Sequence, residues 1–336
     1  MNVLGIETSC DECSVSVVQD GRRILSNVIA SQIEIHRPYA GVVPELASRV
    51  HTEWIEPATE RSLSDAGLSL SDIGGVAVTN RPGLVGSLLV GLSFAKALAH
   101  ARSIPFVGIN HIDAHLYAPH LEHEIEYPYL GVIASGGHTL IAIVNTWSDM
   151  RVIGTTIDDA CGEAFDKVAK HYDMGYPGGQ AVDRLARLGD AHAFDFPDAS
   201  LRKGDHRYDV SYSGLKTAVI NQLDQFMQPG FDPSLNNIAA SFEQAAVDML
   251  MIRVRRALAE TKLRRVVVGG GSTANTLFRE RLSLLDADVF IPALELCTDN
   301  GAMIAGLGFH YIVAGNTHSL ETNAVSRINR FRVTYP

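Results

Sequence analysis

Two histidines and a distant aspartate are the residues best suited to bind a metal ion. His111 and His115 lie four residues apart in the segment NHIDAHLYA, directly after the apolar stretch IPFVGIN, and Asp299 precedes the apolar segment NGAMIA. Histidines at this spacing on a helix point the same way, one turn from each other. Two imidazoles and a carboxylate suit Zn²⁺ or Fe²⁺ and leave coordination positions open for a substrate. A metal ion bound by all three would lie in a cleft between two halves of the molecule.

The HxxxH pair has a plainer interpretation when it is taken alone. A histidine pair at this spacing is also typical of a solvated helical face. The pair lacks the glutamate of the HExxH pattern, which supplies the water-activating base of zinc peptidases. The sequence therefore disfavours a metalloprotease.

Two glycine-rich segments are candidates for binding a nucleotide. Ser135–Thr139 (SGGHT) falls in an expected hairpin turn, where the missing Cβ atoms let backbone N–H groups approach an anion. Gly269–Asn275 (GGGSTAN) follows an expected strand and opens a helix, whose N-terminus attracts phosphate. Each alone is more typical of a turn, but their matching places in an internal repeat favour a nucleotide. In PGLVGSLLVG, by contrast, the helix is wholly apolar, so we expect Gly83, Gly86 and Gly91 to serve close packing.

The pattern of strands and helices occurs twice along the chain. The first thirty residues have the pattern of a three-stranded meander with Asp20 and Gly21 in a hairpin position, and the same pattern returns at Tyr129. Helices and strands of the parallel type follow each meander. We expect a duplicated α/β fold with a five-stranded mixed sheet in each of two lobes around a central cleft. The expected divisions are an N-terminal lobe over 1–122, a C-terminal lobe over 123–298, and a final helix and tail over 299–336 that pack back toward the N-terminal lobe.

The composition is that of a globular protein of the cytoplasm. Of 336 residues, 46% are hydrophobic and 20% are charged, which is enough for two lobes with buried cores. The longest uncharged apolar stretch is too short to span a bilayer, and the first residues lack the basic segment of a signal peptide. The four cysteines fit reduced thiols, and CDEC at Cys10–Cys13 lacks the second pair that a structural zinc site usually has. The net charge of −10 argues against a broad nucleic-acid surface.

The chain resembles the bacterial TsaD family of tRNA N6-adenosine threonylcarbamoyltransferases, formerly called the glycoprotease family. The resemblance covers nearly the whole length through the motifs LGIETSCDE, GVVPELASRVH, HIDAHLYAP, SGGHT, GEAFDKVAK, YPGG, SYSGLKT and CTDNGAMIA. It implies an actin/hexokinase/Hsp70-like (ASKHA) fold. It also implies transfer of the threonylcarbamoyl group from threonylcarbamoyl-AMP to the N6 amine of the adenosine 3' of the anticodon, in tRNAs that read ANN codons.

The same resemblance implies a set of site residues. One divalent metal ion, with Fe²⁺ favoured and Zn²⁺ possible, would be bound by His111, His115 and Asp299. The implied donor-binding residues are Ile133, Ala134, Ser135, Gly136, Gly137, Asp166, Gly179, Asp183 and Asn275. Archaeal relatives have a tyrosine ligand where Ile133 stands here, so three protein ligands remain and substrate or water would complete the shell.

The expected chemistry assigns further roles. The donor is a mixed anhydride and already activated, so the enzyme has to position the amine, stabilise charge on the carbonyl oxygen and neutralise the departing phosphate. A bound cation serves the last two needs as a Lewis acid. Asp11 and Glu12 follow the first strand and are candidates for steering or deprotonating the amine, with solvated turn carboxylates as the alternative.

The resemblance implies several partners and no membrane. They are tRNA, the TsaB and TsaE proteins, and a TsaC-type synthase that supplies the intermediate. Because the net charge is unfavourable, tRNA would need a local basic patch or a partner protein. The two candidate patches are Arg202, Lys203, His206 and Arg207, and the helical face with Arg253, Arg255 and Arg256.

Two other functions compete with this one. A sugar or acetate kinase of the same fold would share the meanders and glycine-rich segments, but such kinases use Mg²⁺ with carboxylates and water rather than imidazoles. A non-catalytic scaffold that dimerises with a related chain is the other alternative. The retention of all three candidate ligands argues against a scaffold without catalytic function.

Overall fold

The computed structural model describes residues 1–197 and 206–328, which form two compact units. Unit 1 consists of Met1–Ile125 and the described residues from Pro292 onwards. Unit 2 is the described part of Glu126–Ile291. Each unit is built around its own five-stranded mixed sheet.

Unit 1 contains the first five strands, which are β1 (Asn2–Glu7), β2 (Glu12–Gln19), β3 (Arg23–Ser31), β4 (Ile73–Arg81) and β5 (Phe106–Asn110). Its helices are α1 (Ile33–His36), α2 (Pro44–Asp65), α3 (Val85–Arg102), α4 (His111–Tyr117), α11 (Leu294–Cys297) and α12 (Gly301–Val313). Short 3₁₀ turns lie at Arg37–Tyr39, Leu70–Asp72 and Ala118–Leu121.

Unit 2 contains the second set of strands, which are β6 (Tyr129–Ala134), β7 (Thr139–Thr146), β8 (Asp149–Thr155), β9 (Arg265–Gly269) and β10 (Asp288–Phe290). Its helices are α5 (Cys161–His171), α6 (Gly178–Ala186), α7 (Tyr212–Asn221), α8 (Leu223–Phe226), α9 (Leu235–Thr261) and α10 (Thr276–Ser283). A 3₁₀ turn at Gly271–Ala274 lies between β9 and α10.

The two sheets have the same topology. In unit 1 the strand order is β3-β2-β1-β4-β5, and in unit 2 the equivalent order is β8-β7-β6-β9-β10. In each sheet the first three strands form an antiparallel meander. The fourth strand pairs in parallel with the first, and the fifth strand pairs in parallel with the fourth. Asp20 and Gly21 both have positive φ at the first hairpin, as a two-residue turn of this kind requires. The predicted duplicated ASKHA-type fold, with a five-stranded mixed sheet in each half, is confirmed.

Helix α12 lies directly on the sheet of unit 1. It packs against β1, β2 and β4, and its residues from Gly301 to Gly308 are all buried. A Cβ atom at Gly5 in β1 would lie only 2.1 Å from the backbone oxygen of Gly301, so glycine permits this close approach. The start of α12, and with it Asp299, is thereby fixed beside the end of β1.

The apolar helix α3 also depends on glycine for its packing. A Cβ atom at Gly91 would lie 2.3 Å from Thr8 Oγ1, and one at Gly83 would lie 2.6 Å from the backbone oxygen of Ser9. The prediction that the glycines of this segment serve close packing is confirmed. No helix in the described ranges is long and apolar enough to cross a membrane.

Candidate metal centre and donor-binding loops

The three candidate metal ligands meet within unit 1. Asn110 ends β5 and caps α4, since its Oδ1 accepts a hydrogen bond from the backbone N–H of Ile112 at 3.0 Å. His111 is therefore the first residue of α4, and His115 follows one turn later. The Nε2 atoms of the two rings are 3.1 Å apart, and Asp299 Oδ1 lies 3.1 Å from Nε2 of His115 and 3.4 Å from Nε2 of His111.

The buried Glu7 orients one of these rings. Its Oε2 lies 2.9 Å from Nδ1 of His111, and it also accepts from Thr79 Oγ1 at 2.5 Å. A carboxylate on the far side of a ligating imidazole fixes the ring and raises its basicity, as is usual around metal ions. Glu7 was not among the predicted site residues because it looks like part of a strand. The signal that could have found it is a charged residue at the end of an otherwise buried β1.

The donor set fits a metal ion. Nδ1 of His111 faces Glu7, so its Nε2 and that of His115 both point at the single carboxylate oxygen of Asp299. Both Nε2 atoms share this one oxygen as an acceptor, whereas a cation would interact with all three ligand atoms at once. The three ligand atoms lie within 4.8 Å of one another. These three side chains could therefore hold a metal ion together.

Metal affinity is expected to rise with pH. Burial alone would lower the pKa of His111, but the carboxylates of Asp299 and Glu7 outweigh it and raise that pKa to about 9. Because the folded-state pKa is raised, the imidazolium is present at pH 7 and its proton must leave before a metal ion binds. We expect the association constant to increase about tenfold per pH unit until about pH 9.

Competition with a chromophoric chelator across this pH range measures the effect. Glu7→Gln serves as the comparison, because removing a carboxylate that raises the pKa of His111 should move the plateau to lower pH. An affinity for metal that does not change between pH 6 and pH 9 would contradict the assignment.

Asp11 and Glu12 lie near the candidate ligands. Burial, and then the charges of Asp11 and Asp299, raise the pKa of Glu12 well above its ordinary value. The same carboxylates contribute, after burial, to a raised pKa of the Cys10 thiol. The structure therefore brings the acidic pair, Cys10 and Asp299 together at the junction of β1 and β2.

The two cysteines of CDEC form no metal site among the described residues. Both are free thiols, and burial raises the pKa of Cys13 to about 12. Thiols with raised pKa values are poor ligands and poor nucleophiles at neutral pH.

The SGGHT segment forms an open turn in unit 2. Ile133 and Ala134 are buried at the end of β6, and Ser135 closes the turn through hydrogen bonds with His138. A Cβ atom at Gly136 or Gly137 would meet nothing within 4 Å. The two glycines are therefore not needed for packing, and their backbone borders open space that an anion could approach.

Other loops of unit 2 lie against this turn. The backbone N–H of Gly162, in the first turn of α5, donates to the oxygen of Ser135 at 3.1 Å. A Cβ atom at Gly270, where φ is 96°, would lie 2.5 Å from the oxygen of Ala134. The SGGHT turn, the start of α5 and the GGGSTAN loop therefore form one continuous surface.

The remaining predicted donor-binding residues surround helix α6. Asp166 Oδ1 accepts from the backbone N–H of Gly178 at 2.8 Å, and the neighbouring Gly179 borders open space. Asp183 lies one turn further along α6 and accepts from the backbone N–H of Thr276 at 2.9 Å. Asp183 and the start of α10 are thereby held together.

Asn275 is occupied by contacts within the fold. Its Oδ1 caps α10 by accepting from the backbone N–H of Phe278 at 2.9 Å, and its Nδ2 donates to Glu243 Oε1 at 2.5 Å. Burial raises the pKa of Glu243 to about 7. Glu243 was not predicted from the sequence, because a single glutamate within the long helix α9 gives no signal of its burial.

One of the candidate RNA-binding patches needs correction. Arg253 is 1% exposed, and its guanidinium donates to the backbone oxygens of Asp209 and Met249. Its predicted place on a solvated basic face is therefore wrong. Arg207 and Arg256 remain accessible and are neighbours, since Arg256 Nη1 donates to the backbone oxygen of Arg207 at 2.6 Å. Arg202 and Lys203 of the other patch lie outside the described residues.

Similar solved structures support the fold alone. Full-length HypF in its phosphate- and nucleotide-bound form superposes with a TM-score of 0.61 at 16% identity, over 93% of this chain and 55% of that chain. The activator of 2-hydroxyisocaproyl-CoA dehydratase from Clostridium difficile, with bound ADPNP, gives a TM-score of 0.54 at 13% identity, over 97% of this chain and 100% of that chain.

Sequence comparison gives a more specific result. Residues 23–306 match the family described as "TsaD: tRNA N6-adenosine threonylcarbamoyltransferase". Proteins with the name tRNA N6-adenosine threonylcarbamoyltransferase from Treponema denticola and Borrelia duttonii are 54% and 48% identical, over 98% and 99% of this chain and 98% of each relative. The chain therefore belongs to the TsaD family of tRNA N6-adenosine threonylcarbamoyltransferases, acyl-transferring enzymes that act on tRNA.

Proposed function

We propose that this chain takes the threonylcarbamoyl group from threonylcarbamoyl-AMP and transfers it to the N6 amine of the adenosine 3' of the anticodon, in tRNAs that read ANN codons. The reaction is assisted by one divalent metal ion, with Fe²⁺ favoured and Zn²⁺ as the alternative. The convergence of His111, His115 and Asp299, with Glu7 behind His111, is the observation that supports metal assistance most strongly.

The ligand residues and their support have separate tasks. A bound cation would supply Lewis acidity toward the carbonyl oxygen and the departing phosphate. His111, His115 and Asp299 would hold it, and Glu7 orients His111 by accepting from Nδ1, which leaves Nε2 available as a ligand atom. Both rings are buried, so the protein would shield these ligand atoms from water.

Glu12 is the proposed proton acceptor, with Asp11 as its neighbour. The N6 nitrogen attacks the carbonyl carbon, the bond from that carbon to the phosphate oxygen breaks, and AMP leaves. The nitrogen loses one proton in this step, and a carboxylate with a raised pKa accepts it more readily at neutral pH. Asp11 contributes to the raised pKa of Glu12 and helps to steer the amine.

The donor is proposed to bind in unit 2. Backbone N–H groups at Gly136 and Gly137 would approach its phosphate, and Asp166 and Gly179 would contact its ribose and nucleoside. Asp183 and Asn275 complete the set. Their side-chain oxygens also accept hydrogen bonds from backbone N–H groups at the start of α10. The two residues would therefore shape this loop as well as contact the nucleoside.

Replacing Gly137 with valine is expected to weaken donor binding without harming the fold. A Cβ atom there would meet nothing within 4 Å, but the branched side chain would fill the space that the phosphate needs. We expect the loss in binding to exceed that of Asp166→Ala, which should cost about 1 to 3 kcal/mol by leaving ribose hydroxyls unpaired. Calorimetry with a non-hydrolysable adenylate analogue measures it, and Ala259→Val on the exposed face of α9 adds the same side chain as a control. Equal donor affinity in wild type and Gly137→Val would move the phosphate elsewhere.

Transfer RNA is proposed to contact the basic surface around Arg207, Arg255 and Arg256. Arg255→Glu should weaken tRNA binding and reduce the slope of its salt dependence by about one. Binding isotherms at several salt concentrations measure this, with Arg49→Glu on α2 as the control. An unchanged slope in Arg255→Glu would leave partner proteins of the TsaB and TsaE type as the RNA-binding surface.

The decisive assay for the reaction uses the purified chain, threonylcarbamoyl-AMP and unmodified tRNA. Nucleoside mass spectrometry after digestion detects threonylcarbamoyl-adenosine. The assay is run with and without TsaB and TsaE, and with a TsaC-type synthase as an alternative source of the intermediate. We propose a cytoplasmic location for this reaction. Absence of product under all of these conditions would contradict the proposal.

A further inference from the structure

Three buried polar side chains connect helix α2 to the loop that carries Asp11. Gln32, His36 and His51 are all 0% exposed. His51 belongs to the motif GVVPELASRVH, which the donor and metal sites leave without a role. Pro44 occupies the first turn of α2, so the helix has a fixed start and His51 lies two turns further along it. Its ring contacts Cys10 in the loop between β1 and β2.

These side chains form a series of polar contacts that leads from Val43 to Cys10. The backbone N–H of Val43 donates to Nδ1 of His36 at 3.3 Å, and Nε2 of His36 donates to Oε1 of Gln32 at 3.1 Å. Nε2 of Gln32 lies 3.4 Å from Nδ1 and 3.5 Å from Nε2 of His51, and it also donates to the backbone oxygen of Ala47 at 3.4 Å. Nε2 of His51 donates to the backbone oxygen of Cys10 at 2.9 Å. The backbone groups at the two ends assign one nitrogen of each ring, because Nδ1 of His36 accepts from Val43 and Nε2 of His51 donates to Cys10.

The bond from His51 ends on the peptide unit that joins Cys10 to Asp11. The same loop is held elsewhere by the backbone N–H of Gln32, which donates to the oxygen of Asp11 at 3.0 Å, and by that of Leu84, which donates to the oxygen of Ser9 at 2.8 Å. Glu12 follows at once as the first residue of β2. The orientation of this peptide unit therefore sets the directions in which the side chains of Asp11 and Glu12 leave the backbone.

We propose that His51, oriented by Gln32 and His36, is a positioning residue for threonylcarbamoyl transfer. It fixes the carbonyl of Cys10 and through it the two carboxylates, without contacting substrate or metal itself. This inference rests on the proposed role of Asp11 and Glu12. A displacement of about 1 Å in a reacting group can cost on the order of 100-fold in rate, so a single buried hydrogen bond at this loop is sufficient to matter.

The test compares three variants of α2. His51→Leu removes both ring nitrogens, His51→Gln retains a side-chain donor, and Thr59→Val removes a buried hydroxyl that bonds only within the helix, to the oxygen of Ile55. We expect His51→Leu to lower kcat on the order of 100-fold, with KM for the donor and metal stoichiometry unchanged. His51→Gln should recover most of the rate, and Thr59→Val should match wild type.

Hydrogen exchange distinguishes positioning from stability. Amides of the segment 8–12 should exchange faster in His51→Leu while the other strands of unit 1 keep their protection. If His51→Leu does not fold, Gln32→Met is the substitute, because it removes the amide beside His51 and keeps a side chain of similar size. We expect Gln32→Met to lower kcat about tenfold, a smaller loss than that from removing the His51 ring. A kcat equal to that of wild type in the folded variant would overturn the inference.

A combined variant separates this inference from the proposed function. In a background of Asp11→Asn and Glu12→Gln, His51→Leu should lower kcat little further, because the carboxylates through which it acts are gone. A full additional loss would overturn the positioning role. If the double carboxylate variant keeps the wild-type kcat, the inference fails at its premise, whereas the transfer reaction itself stands.

Discussion

Replacing His115 with alanine is expected to remove the bound metal ion and to lower kcat for threonylcarbamoyl transfer by at least about 100-fold. The fully buried ring contributes one of three ligand atoms, and its loss leaves only His111 Nε2 and Asp299 Oδ1. Lewis-acid stabilisation is worth several kcal/mol, and each 1.36 kcal/mol corresponds to about a factor of ten in rate. Metal analysis of the purified variant together with single-turnover rates measures both effects.

The matched control for this variant is His120→Gln. His120 is also buried and follows α4 directly, but its ring stacks on Tyr117 instead of facing Asp299. His120→Gln should retain the metal ion and the rate. If the double variant His111→Ala, His115→Ala binds as much metal as wild type, the assigned centre is wrong.

The second large effect is expected from Glu12→Gln, which should lower kcat by about 10² to 10⁴-fold because the amide cannot accept the N6 proton. The variant should keep its donor affinity and its metal ion. In wild type, kcat should rise with pH as Glu12 loses its proton, and this rise should lie above the usual carboxyl range because burial, Asp11 and Asp299 raise the pKa of Glu12. A bound cation would lower that pKa without removing its dependence on Asp11.

Asp11→Asn tests whether the charge of Asp11 shifts the pH dependence of kcat. Removing a neighbouring negative charge lowers the pKa of Glu12, so the rise in kcat should move to lower pH in this variant. Glu53→Gln, an exposed carboxyl on α2, should leave the profile unchanged. A Glu12→Gln enzyme with the wild-type rate and the same pH profile would assign the proton transfer to another group.

The fold was predictable because its signals are local. The Asp20–Gly21 hairpin, the alternating and continuous apolar strands, and the return of the same pattern at Tyr129 can each be recognised within a short window of sequence. The histidine pair was recognisable for the same reason, since its spacing is one helical turn. Asp299 could be proposed as a third ligand from its chemistry, and the family resemblance supported it, but nothing in the sequence alone shows that the start of α12 lies beside β1.

The features that sequence patterns missed are long-range and polar. Glu7 reaches His111 across the sheet, and Glu243 reaches Asn275 from the middle of α9. Arg253 looks like a surface residue beside Arg255 and Arg256, yet it is buried because two backbone oxygens, one of them from Asp209 far away in sequence, accept its hydrogen bonds. Such partners can be found only from the fold, because burial of a charge depends on groups that are distant along the chain.

The competing interpretations are decided by different kinds of observation. Glycine-rich turns and duplicated sheets fit a kinase of the same fold as well as a transferase. Identity near 50% to tRNA N6-adenosine threonylcarbamoyltransferases over almost the whole chain decides for the transferase. The imidazole-rich donor set of unit 1 agrees with that result, because Mg²⁺-dependent kinases bind their metal through carboxylates and water.

The central claim is that transfer depends on a metal ion held by His111, His115 and Asp299. The most direct measurement strips the purified enzyme of metal and restores Fe²⁺ or Zn²⁺ stepwise, with bound metal and threonylcarbamoyl-adenosine formation determined on the same samples. The account predicts a rate that rises in proportion to occupancy up to one ion per chain, and no recovery in the double variant His111→Ala, His115→Ala. A metal-free enzyme that modifies tRNA at the wild-type rate would contradict it.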